Sequence, residues 1–426
     1  MEKILKIFDE NKNHYFPVFI ISLFPILFFL GSGVVNFFII VLDIIFLLEI
    51  FLKKKTYLFK NIFFYLLTIF WLILLISLLF SIDIHNSLGR SLGFIRFIIL
   101  VFAINYFINF ENKKYQKIIF NFWTIIFIII SFDLIYEFVF GKNTLGFQSY
   151  MPGRLSGFFN DELKIGHLYS ALIFITLSNI FVLKKNYLNI KNFFYNYIDY
   201  FLILIFLIIS FIIGERSNFL KILIVLPIFV ILVKKLNLVK KLIFLVSFFL
   251  VIFTISASNE IYKIRFWTMF VKPIIHSPIN FINNTRYGQH YSVAIDVFNN
   301  NKLYGVGLKN YREEVKKETY KKNSSRIRIA SIHPHQVHFE FLSELGFVGY
   351  SYFLIFFLIT IYISLKNYLN KKDNFQLSAL LFILANLIPL IPSGSFFTTY
   401  SAALFWINFS IMMPSIMENK SYKIIN

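Results

Sequence analysis

The chain changes character at residues 331–350, SIHPHQVHFEFLSELGFVGY, where a long polar segment runs into an apolar one. Three of its eight histidines lie in this stretch, at His333, His335 and His338. Long apolar runs fill most of the sequence before the polar segment and most of the sequence after this stretch. These flanks predict a membrane scaffold, and the junction predicts a catalytic base held at a membrane surface.

The composition excludes an ordinary soluble protein. Hydrophobic residues make up 58% of the chain, and charged residues only 15%, whereas about a quarter of a soluble domain is charged. Many apolar runs approach the ~20 residues that cross a bilayer core. Cysteine is absent, which excludes a disulfide framework, a thiol nucleophile and a cysteine–metal cluster.

These runs predict an all-α polytopic membrane protein with about twelve transmembrane helices, and residues 1–426 form one integral membrane domain. We take the first run as a retained helix, because it lacks a small-x-small cleavage site and a second run follows at once. The predicted spans are 16–31, 34–52, 61–80, 92–110, 118–140, 167–183, 198–213, 217–233, 242–257, 347–365, 376–392 and 396–413.

The charges predict the orientation. The chain has 42 Lys and Arg against 22 Asp and Glu, a net charge of +20. The Lys and Arg fall mainly in alternate short connections such as KKKTYLFK and ENKKYQK, which is how membrane proteins fix their orientation rather than how they bind nucleic acid. The positive-inside rule therefore puts both termini and the Lys-rich connections in the cytoplasm.

Residues 258–338 form a large loop on the opposite, periplasmic face. The loop carries thirteen Lys and Arg, which is allowed because loops beyond ~60 residues translocate largely regardless of charge. Its basic surface suggests an anionic partner. We expect an interfacial amphipathic segment at NEIYKIRFWTMFVKPI and helices at GQHYSVAIDVFNNN and LKNYREEVKKETYKK, separated by the turn LYGVG.

Three arginines are candidates for binding an anion, because ionisable residues near membrane depth are costly unless they have a partner. Arg216, beside Glu215 in a very short connection, either snorkels or pairs locally, or grips phosphate oxygens in a cavity. Arg286 precedes a predicted helix whose free amides could hold the same anion, or is simply solvated. Arg154 lies in a glycine-containing loop, GRLSGFFNDELKIGHLY, that suits substrate contact or a plain re-entry turn.

The histidines of the stretch 331–350 are the candidates for proton transfer. A neutral imidazole can take a proton from a sugar hydroxyl as that oxygen attacks. Pro334 suits a helix entry, and His335 and His338 share one face once the helix has begun. A structural histidine is the alternative for His333 and His338. Zinc is the other alternative, but HPHQVH does not have the spacing of a closed zinc site, and we predict no metal.

These residues resemble the O-antigen ligase and O-antigen polymerase superfamily of bacterial envelope glycosyltransferases. The family is marked by His, then Asn, Ser or Gln, nine residues, and Gly-x-x-Gly near the end of its large periplasmic loop. His335 and Gln336 are followed by nine residues and then by Gly346 and Gly349. The segment from Arg286 to LYGVG is similar to the family's Arg, helix and Pro-Leu-x-Gly-Val-Gly turn, with a lysine in place of the proline.

Two other segments share this resemblance, which covers roughly residues 140–410. Arg216 falls where the family has an Arg after a span that ends in small residues, although Glu215 and Asn218 replace the usual neighbours. RLSGFFNDELKIGHLY resembles the signature of the family's first periplasmic loop. Twelve spans with cytoplasmic termini are typical of the ligase branch.

The resemblance implies glycan transfer from a polyprenyl diphosphate carrier, without a nucleotide sugar, cofactor or metal. It implies that His335 is the general base and that Arg216 and Arg286 stabilise the departing diphosphate. Arg154 would add a donor contact, and His338 and Gln336 would support the base. Direct attack would invert the anomeric carbon. The acceptor is a lipid A core sugar for a ligase, which we favour, or a second lipid-linked glycan for a polymerase.

Other functions remain open alternatives. An enzyme that attaches glycans to proteins would use the same chemistry. A transporter of lipid-linked sugars would use the same arginines but needs no base, and transporters usually bind near the midplane in two related halves. The sequence shows no such halves. It also has no nucleophile elbow and no Walker-type loop, which argues against a serine hydrolase and an ATP-driven pump.

Overall fold

The computed structural model describes residues 14–110, 113–187, 193–233, 260–277, 285–317 and 331–418, with 246, 249, 250, 253, 320, 322, 323, 326 and 327. The architecture is helical apart from two short strands. The helices are α1 (Tyr15–Leu27), α2 (Ser32–Leu52), α3 (Ile62–Ile76), α4 (Ile84–Gly93), α5 (Ile95–Asn109), α6 (Lys114–Phe140), α7 (Ile165–Tyr187), α8 (Phe193–Ile212), α9 (Arg216–Val233), α10 (Glu260–Tyr262), α11 (Lys272–His276), α12 (Arg286–Asn300), α13 (Tyr311–Glu314), α14 (Val337–Lys371), α15 (Asn374–Asn386) and α16 (Thr399–Met412).

Shorter elements connect these helices. A π-helix, Lys263–Val271, joins α10 to α11. The strands β1 (Lys322–Asn323) and β2 (Arg326–Ile327) pair antiparallel. Single 3₁₀ turns lie at Phe28–Leu30, Thr56–Phe59, Ser77–Phe80, Gly157–Phe159 and Ile416–Glu418.

The protein is a multi-pass membrane protein. Seven helical segments among the described residues are long and apolar enough to cross a membrane: Ser32–Leu52, Ile62–Phe80, Ile84–Asn109, Lys114–Phe140, Ile165–Lys184, Arg216–Val233 and Val337–Lys371. Shorter apolar helices run over Tyr15–Leu30, Ile198–Ile212 and Asn374–Asn386. The predicted span 242–257 lies mostly outside the described residues. The count of twelve therefore stays a prediction.

Helix α2 illustrates how the sequence separates a protein-facing side from a lipid-facing side. Val35, Ile39 and Leu42 are spaced three or four residues apart and are fully buried. Phe37 and Ile44, seven residues apart on another face, are more than half exposed, at 61% and 52%. Exposed apolar side chains of this kind suit a lipid environment, because a soluble surface rarely carries them as a continuous stripe.

The structure corrects one helix prediction in the large loop. In LKNYREEVKKETYKK, α13 and Tyr320 are helical in the described part, but residues 315–317 form a turn and β1 begins at Lys322, so the prediction of one continuous helix is wrong. Tyr311, Val315 and Tyr320 are buried in a small core with α12, and this tertiary packing overrides the local helix preference. The other two segments are helical as predicted. GQHYSVAIDVFNNN lies in α12 except for its last residue, and NEIYKIRFWTMFVKPI is helical from Glu260 onwards. Its interfacial location stays a prediction.

Helix α14 begins ten residues earlier than the predicted span 347–365, and it carries a kink. Gly346 has φ +64° and ψ −164°, which is not helical. The kink frees backbone groups that pair with the turn after α12. The Phe347 N–H donates to the Lys302 carbonyl at 2.7 Å, and the Val306 N–H donates to the Ser343 carbonyl at 3.1 Å. A Cβ at position 346 would collide with the backbone of that turn, which explains the first glycine of Gly-x-x-Gly.

Candidate functional site

The backbone around His335 is held in a strained conformation. His335 has φ +59°, a left-handed value that costs a non-glycine residue roughly 1–2 kcal/mol. The Ser393 N–H donates to the His335 carbonyl at 2.7 Å and fixes this conformation. Gln336 then caps α14, because its side-chain oxygen accepts from the N–H groups of His338 at 2.7 Å and Phe339 at 3.3 Å. This cap explains why Asn, Ser or Gln suits the position after the histidine.

Four aromatic rings gather at His335. The His335 and His333 ring centroids are 3.9 Å apart, the His290 ring stacks on His335 at 5.2 Å, and the Tyr287 ring lies at 5.9 Å. The His335 Nε2 is 3.0 Å from the Ser331 hydroxyl. Its Nδ1 has no hydrogen-bond partner within the described residues, which leaves this nitrogen available to a substrate.

Burial and neighbouring cations keep these histidines neutral. Burial, followed by His333, His290 and Arg286, lowers the pKa of His335 to about 3. Burial, followed by His290 and Arg312, lowers the pKa of His333 to about 4. Both imidazoles can therefore accept a proton at neutral pH. Among the residues that the structure describes, no group of three or more His, Asp or Glu side chains is placed to hold a metal ion.

Three arginines from different segments form a second cluster. The Arg216 Nη1 donates to the Arg265 carbonyl at 3.3 Å. The Arg265 side chain donates to the Gly214 carbonyl at 3.0 Å and to the Pro152 carbonyl at 3.3 Å. Burial, followed by Arg216 and Arg154, lowers the pKa of the Arg265 guanidinium. Like charges brought together in this way favour an anionic ligand.

Glu215 is the carboxylate that partly offsets this charge. Its Oε1 lies 3.4 Å from the Arg154 Nη2 and 3.4 Å from the His167 Nε2. Arg154 also donates to the Leu163 carbonyl at 3.0 Å. Glu215 is thus the partner of Arg154. A local Glu215–Arg216 pair, one of the alternatives from the sequence, is not needed to explain why an arginine stands at position 216.

Two glycines bring the loops that carry Arg154 and Arg216 into contact. Gly153 and Gly214 both have left-handed backbones, with φ +72° and +74°. The Leu155 N–H donates to the Ile213 carbonyl at 3.0 Å beside them. A Cβ on Gly214 would collide with the Gly153 carbonyl oxygen, so a larger residue would push the loops apart.

Tyr287 connects the two clusters. Arg286 and Tyr287 begin α12, which Thr285 caps by accepting from the Gly288 N–H at 3.1 Å. Arg286 acts electrostatically on His335. Tyr287 acts electrostatically on Arg216 while its ring lies beside His335. Tyr287 is therefore the residue around which the predicted residues lie: Arg216, Arg286 and His335. Arg154 joins them because it acts electrostatically on Arg216.

His338 has a different environment from His335. Its Nε2 lies 2.8 Å from the Leu387 carbonyl, and its Nδ1 lies 3.1 Å from the Tyr350 hydroxyl. A carbonyl oxygen only accepts, so Nε2 carries the proton and Nδ1 accepts from the tyrosine. Both ring nitrogens are engaged within the fold, which favours a positioning role.

Several residues of this site were not singled out from the sequence. They include Tyr287, His290 and Arg265, whose importance comes from distant chain segments. Glu340 and Glu344 did give a signal, since two acids four residues apart in an apolar helix are costly. Glu340 accepts from the Phe396 N–H at 2.8 Å and from the Ser395 hydroxyl. Glu344 accepts from the backbone of residues 309 and 311. Each carboxylate thus holds one loop in place.

A small cavity is lined by residues that contact both clusters. His167, the Glu215 partner, lines it, and so does Ser393, which binds the His335 backbone. Asn386 also lines it and accepts from the Lys221 Nζ at 3.0 Å. A further small cavity, lined by Asn105, Lys113 and Lys371 among others, contains none of the predicted site residues.

Comparison with known proteins confirms the predicted resemblance. Residues 201–357 match the family model described as O-antigen ligase. The matched range contains Arg216, Arg286, His335 and both glycines of Gly-x-x-Gly, whereas Arg154 precedes it. No curated protein matches the chain.

Proposed function

We propose that this membrane protein is a ligase that transfers a glycan from a polyprenyl diphosphate carrier to a lipid A core sugar. The match of residues 201–357 to the family model described as O-antigen ligase supports the proposal. The observation that carries the proposal is the position of Tyr287, beside the His335 ring and within electrostatic range of Arg216. A proton acceptor and an anion-binding group thus adjoin one another, as glycan transfer from a diphosphate requires.

In the proposed reaction, the acceptor hydroxyl oxygen attacks the anomeric carbon of the donor glycan. A new carbon–oxygen bond forms while the bond from that carbon to the diphosphate oxygen breaks, and the electron pair leaves with the diphosphate. The hydroxyl proton passes to the free Nδ1 of His335, whose Nε2 is engaged by Ser331. Attack opposite the leaving group inverts the anomeric carbon. The reaction needs no metal or cofactor.

Donor binding would also prime the base. A pKa of about 3 keeps His335 neutral but makes it a weak proton acceptor, because general bases work best with a pKa near the operating pH. An opposite charge within ~4–6 Å favours the protonated form of an imidazole. The diphosphate of the donor would therefore raise the pKa of His335 as it places the anomeric carbon.

The arginines divide into binding and positioning roles. Arg216 and Arg286 stabilise the charge that develops on the departing diphosphate, and Arg154 adds a donor contact. One such contact, made in the transition state, contributes roughly 3–4 kcal/mol. Arg265 is a positioning residue, because its guanidinium donates to the carbonyls of the two loops that carry Arg154 and Arg216.

We place the enzyme in a bacterial inner membrane, with both termini in the cytoplasm and His335 on the periplasmic side. The support for this orientation is the alternation of Lys-rich and Lys-poor connections. The glycan would then be transferred where lipid-linked donors and lipid A core are both exposed. The donor's lipid tail would enter between helices from the bilayer.

Reconstitution tests the proposal. Purified protein in liposomes receives a polyprenyl diphosphate glycan, with lipid A core or with a second donor as the acceptor. We expect one glycan to be added to lipid A core. A ladder of products made from the donor alone would identify a polymerase. Movement of intact donor across the bilayer, with no new glycosidic bond, would identify a transporter and refute the enzyme.

A further inference from the structure

We propose that Lys309 and Arg312 form a second anion site, which binds a phosphoryl group on the acceptor. This inference rests on the proposed function, since it specifies the chemistry of the acceptor. Arg312 acts electrostatically on His333, whereas the donor residue Arg286 acts on His335.

The two cations lie on a rigid loop. Lys309 has φ +65°, a left-handed conformation that is strained for a lysine. Asn310 between them is fully buried, and its side chain donates to the Asp83 carbonyl at 2.9 Å and to the Ser87 hydroxyl at 3.1 Å. The loop therefore presents its cationic side chains from a fixed backbone, as a binding site requires.

Like charges converge at this loop. Arg90 and Arg312 act electrostatically on Lys309, and Arg312 acts on Arg90. Two buried carboxylates, Glu340 and Glu344, offset part of this charge. They also accept backbone N–H groups of the neighbouring loops, so they are not free to act as dedicated partners of the cations.

The two acids that follow Arg312 pair with other lysines. Glu313 binds Lys316, and Glu314 binds Lys317 at 2.6 Å. Lys309 and Arg312 form no ion pair in the part of the chain that the structure describes. These two cations lie on an anchored loop within electrostatic range of Arg90, and together they form a site for an anion.

The position of this site identifies the anion as part of the acceptor. Arg312 acts electrostatically on His333, whose ring lies 3.9 Å from that of His335. The His333 Nε2 is buried and has no hydrogen-bond partner among the described residues. Of the donor arginines, Arg286 acts electrostatically on His335 instead, and Arg216 interacts with Tyr287. Since the hydroxyl must attack opposite the leaving diphosphate, a charged group held beside His333 belongs to the incoming molecule.

The site would bind a phosphoryl group, and two possible acceptors carry one. A lipid A core carries phosphates near its sugars, and a second polyprenyl diphosphate glycan carries them on its carrier. The first source fits a ligase and the second fits a polymerase, so the two arms of the test below distinguish them.

The test measures acceptor binding without transfer. Protein in lipid nanodiscs is titrated with phosphorylated lipid A core, with the same molecule after phosphatase treatment, and with a polyprenyl diphosphate glycan. The variant is Lys309→Gln/Arg312→Gln. The control, Lys302→Gln/Lys316→Gln, removes the same charge from exposed positions in the same loop. We expect the variant alone to bind a phosphorylated acceptor on the order of tenfold more weakly, and to bind the dephosphorylated one normally.

The outcome separates this inference from the proposed function. Equal affinity of wild type and variant for every phosphorylated molecule would overturn it, as would an equal loss for the dephosphorylated acceptor. Phosphoryl-dependent binding in a protein that transfers no glycan would instead overturn the function and leave the site. Arg312→Lys, which retains the charge, should bind normally, and thermal melting confirms that each variant is folded.

Discussion

The contact between the Arg154 and Arg216 loops can be tested with one methyl group. Gly214 has φ +74°, and a Cβ there would collide with the Gly153 carbonyl oxygen. The left-handed backbone alone costs alanine roughly 1–2 kcal/mol. The collision adds about 1–3 kcal/mol, because a backbone carbonyl cannot rotate away. We expect Gly214→Ala to lower the free energy of unfolding by the sum of the two costs.

Gly141→Ala is the matched control. Gly141 has φ +75°, nearly the value of Gly214, but its Cβ would meet nothing within 4 Å. This variant should therefore show only the backbone cost of roughly 1–2 kcal/mol. The difference between the two alanine variants isolates the close approach of the loops.

The two variants should also differ in activity. Moving a binding group by ~1 Å can cost about 10²-fold in rate, so we expect Gly214→Ala to lower kcat/KM for the donor by about 10- to 100-fold. The KM for the acceptor should be unchanged, and Gly141→Ala should transfer at the normal rate. Thermal unfolding in detergent and initial transfer rates provide the measurements. Equal stability of the two variants, with normal donor kinetics in both, would refute the reasoning.

Three more predictions follow from the same geometry. Gln336→Ala should lower the free energy of unfolding by about 1 kcal/mol, and Gln336→Ser should retain it, because serine also caps a helix; melting of both proteins checks this. Arg265→Ala should raise the donor KM about tenfold, and Arg265→Lys should restore it only in part, since lysine lacks the planar fork; a changed acceptor KM would argue against the positioning role. Folded His335 and His333 have pKa values of about 3 and about 4, so the unfolded chain takes up these protons first as pH falls below the ordinary value of ~6.5. The melting temperature should therefore be highest and constant above pH 6.5 and decrease towards pH 4. A His333→Gln/His335→Gln variant should show a smaller decrease.

The spans and the main motif could be predicted from the sequence because both are local. An apolar run needs only its own length to indicate a membrane helix. His335, Gln336 and Gly346 lie within twelve residues, and the structure gives the last two a local reason, a helix cap and a kink. The helix expected at LKNYREEVKKETYKK failed because the packing of Tyr311 against α12 is not local.

The remainder of the site depends on segments far apart in the chain. Arg265 donates to the Pro152 carbonyl across 113 residues, and no spacing rule predicts such a contact. The sequence also left open whether His335 or His338 faces the substrate. Their surroundings distinguish them, since both nitrogens of His338 are engaged within the fold.

The most direct test of the account is glycan transfer by purified His335→Ala in liposomes, compared with wild type at equal protein and with Arg216→Ala. Both variants should remain folded in the membrane. We expect transfer to fall by at least about 10²-fold in each, since one loses the general base and the other a contact that stabilises the leaving diphosphate. Normal transfer by either variant would contradict the assignment of the base and the diphosphate site.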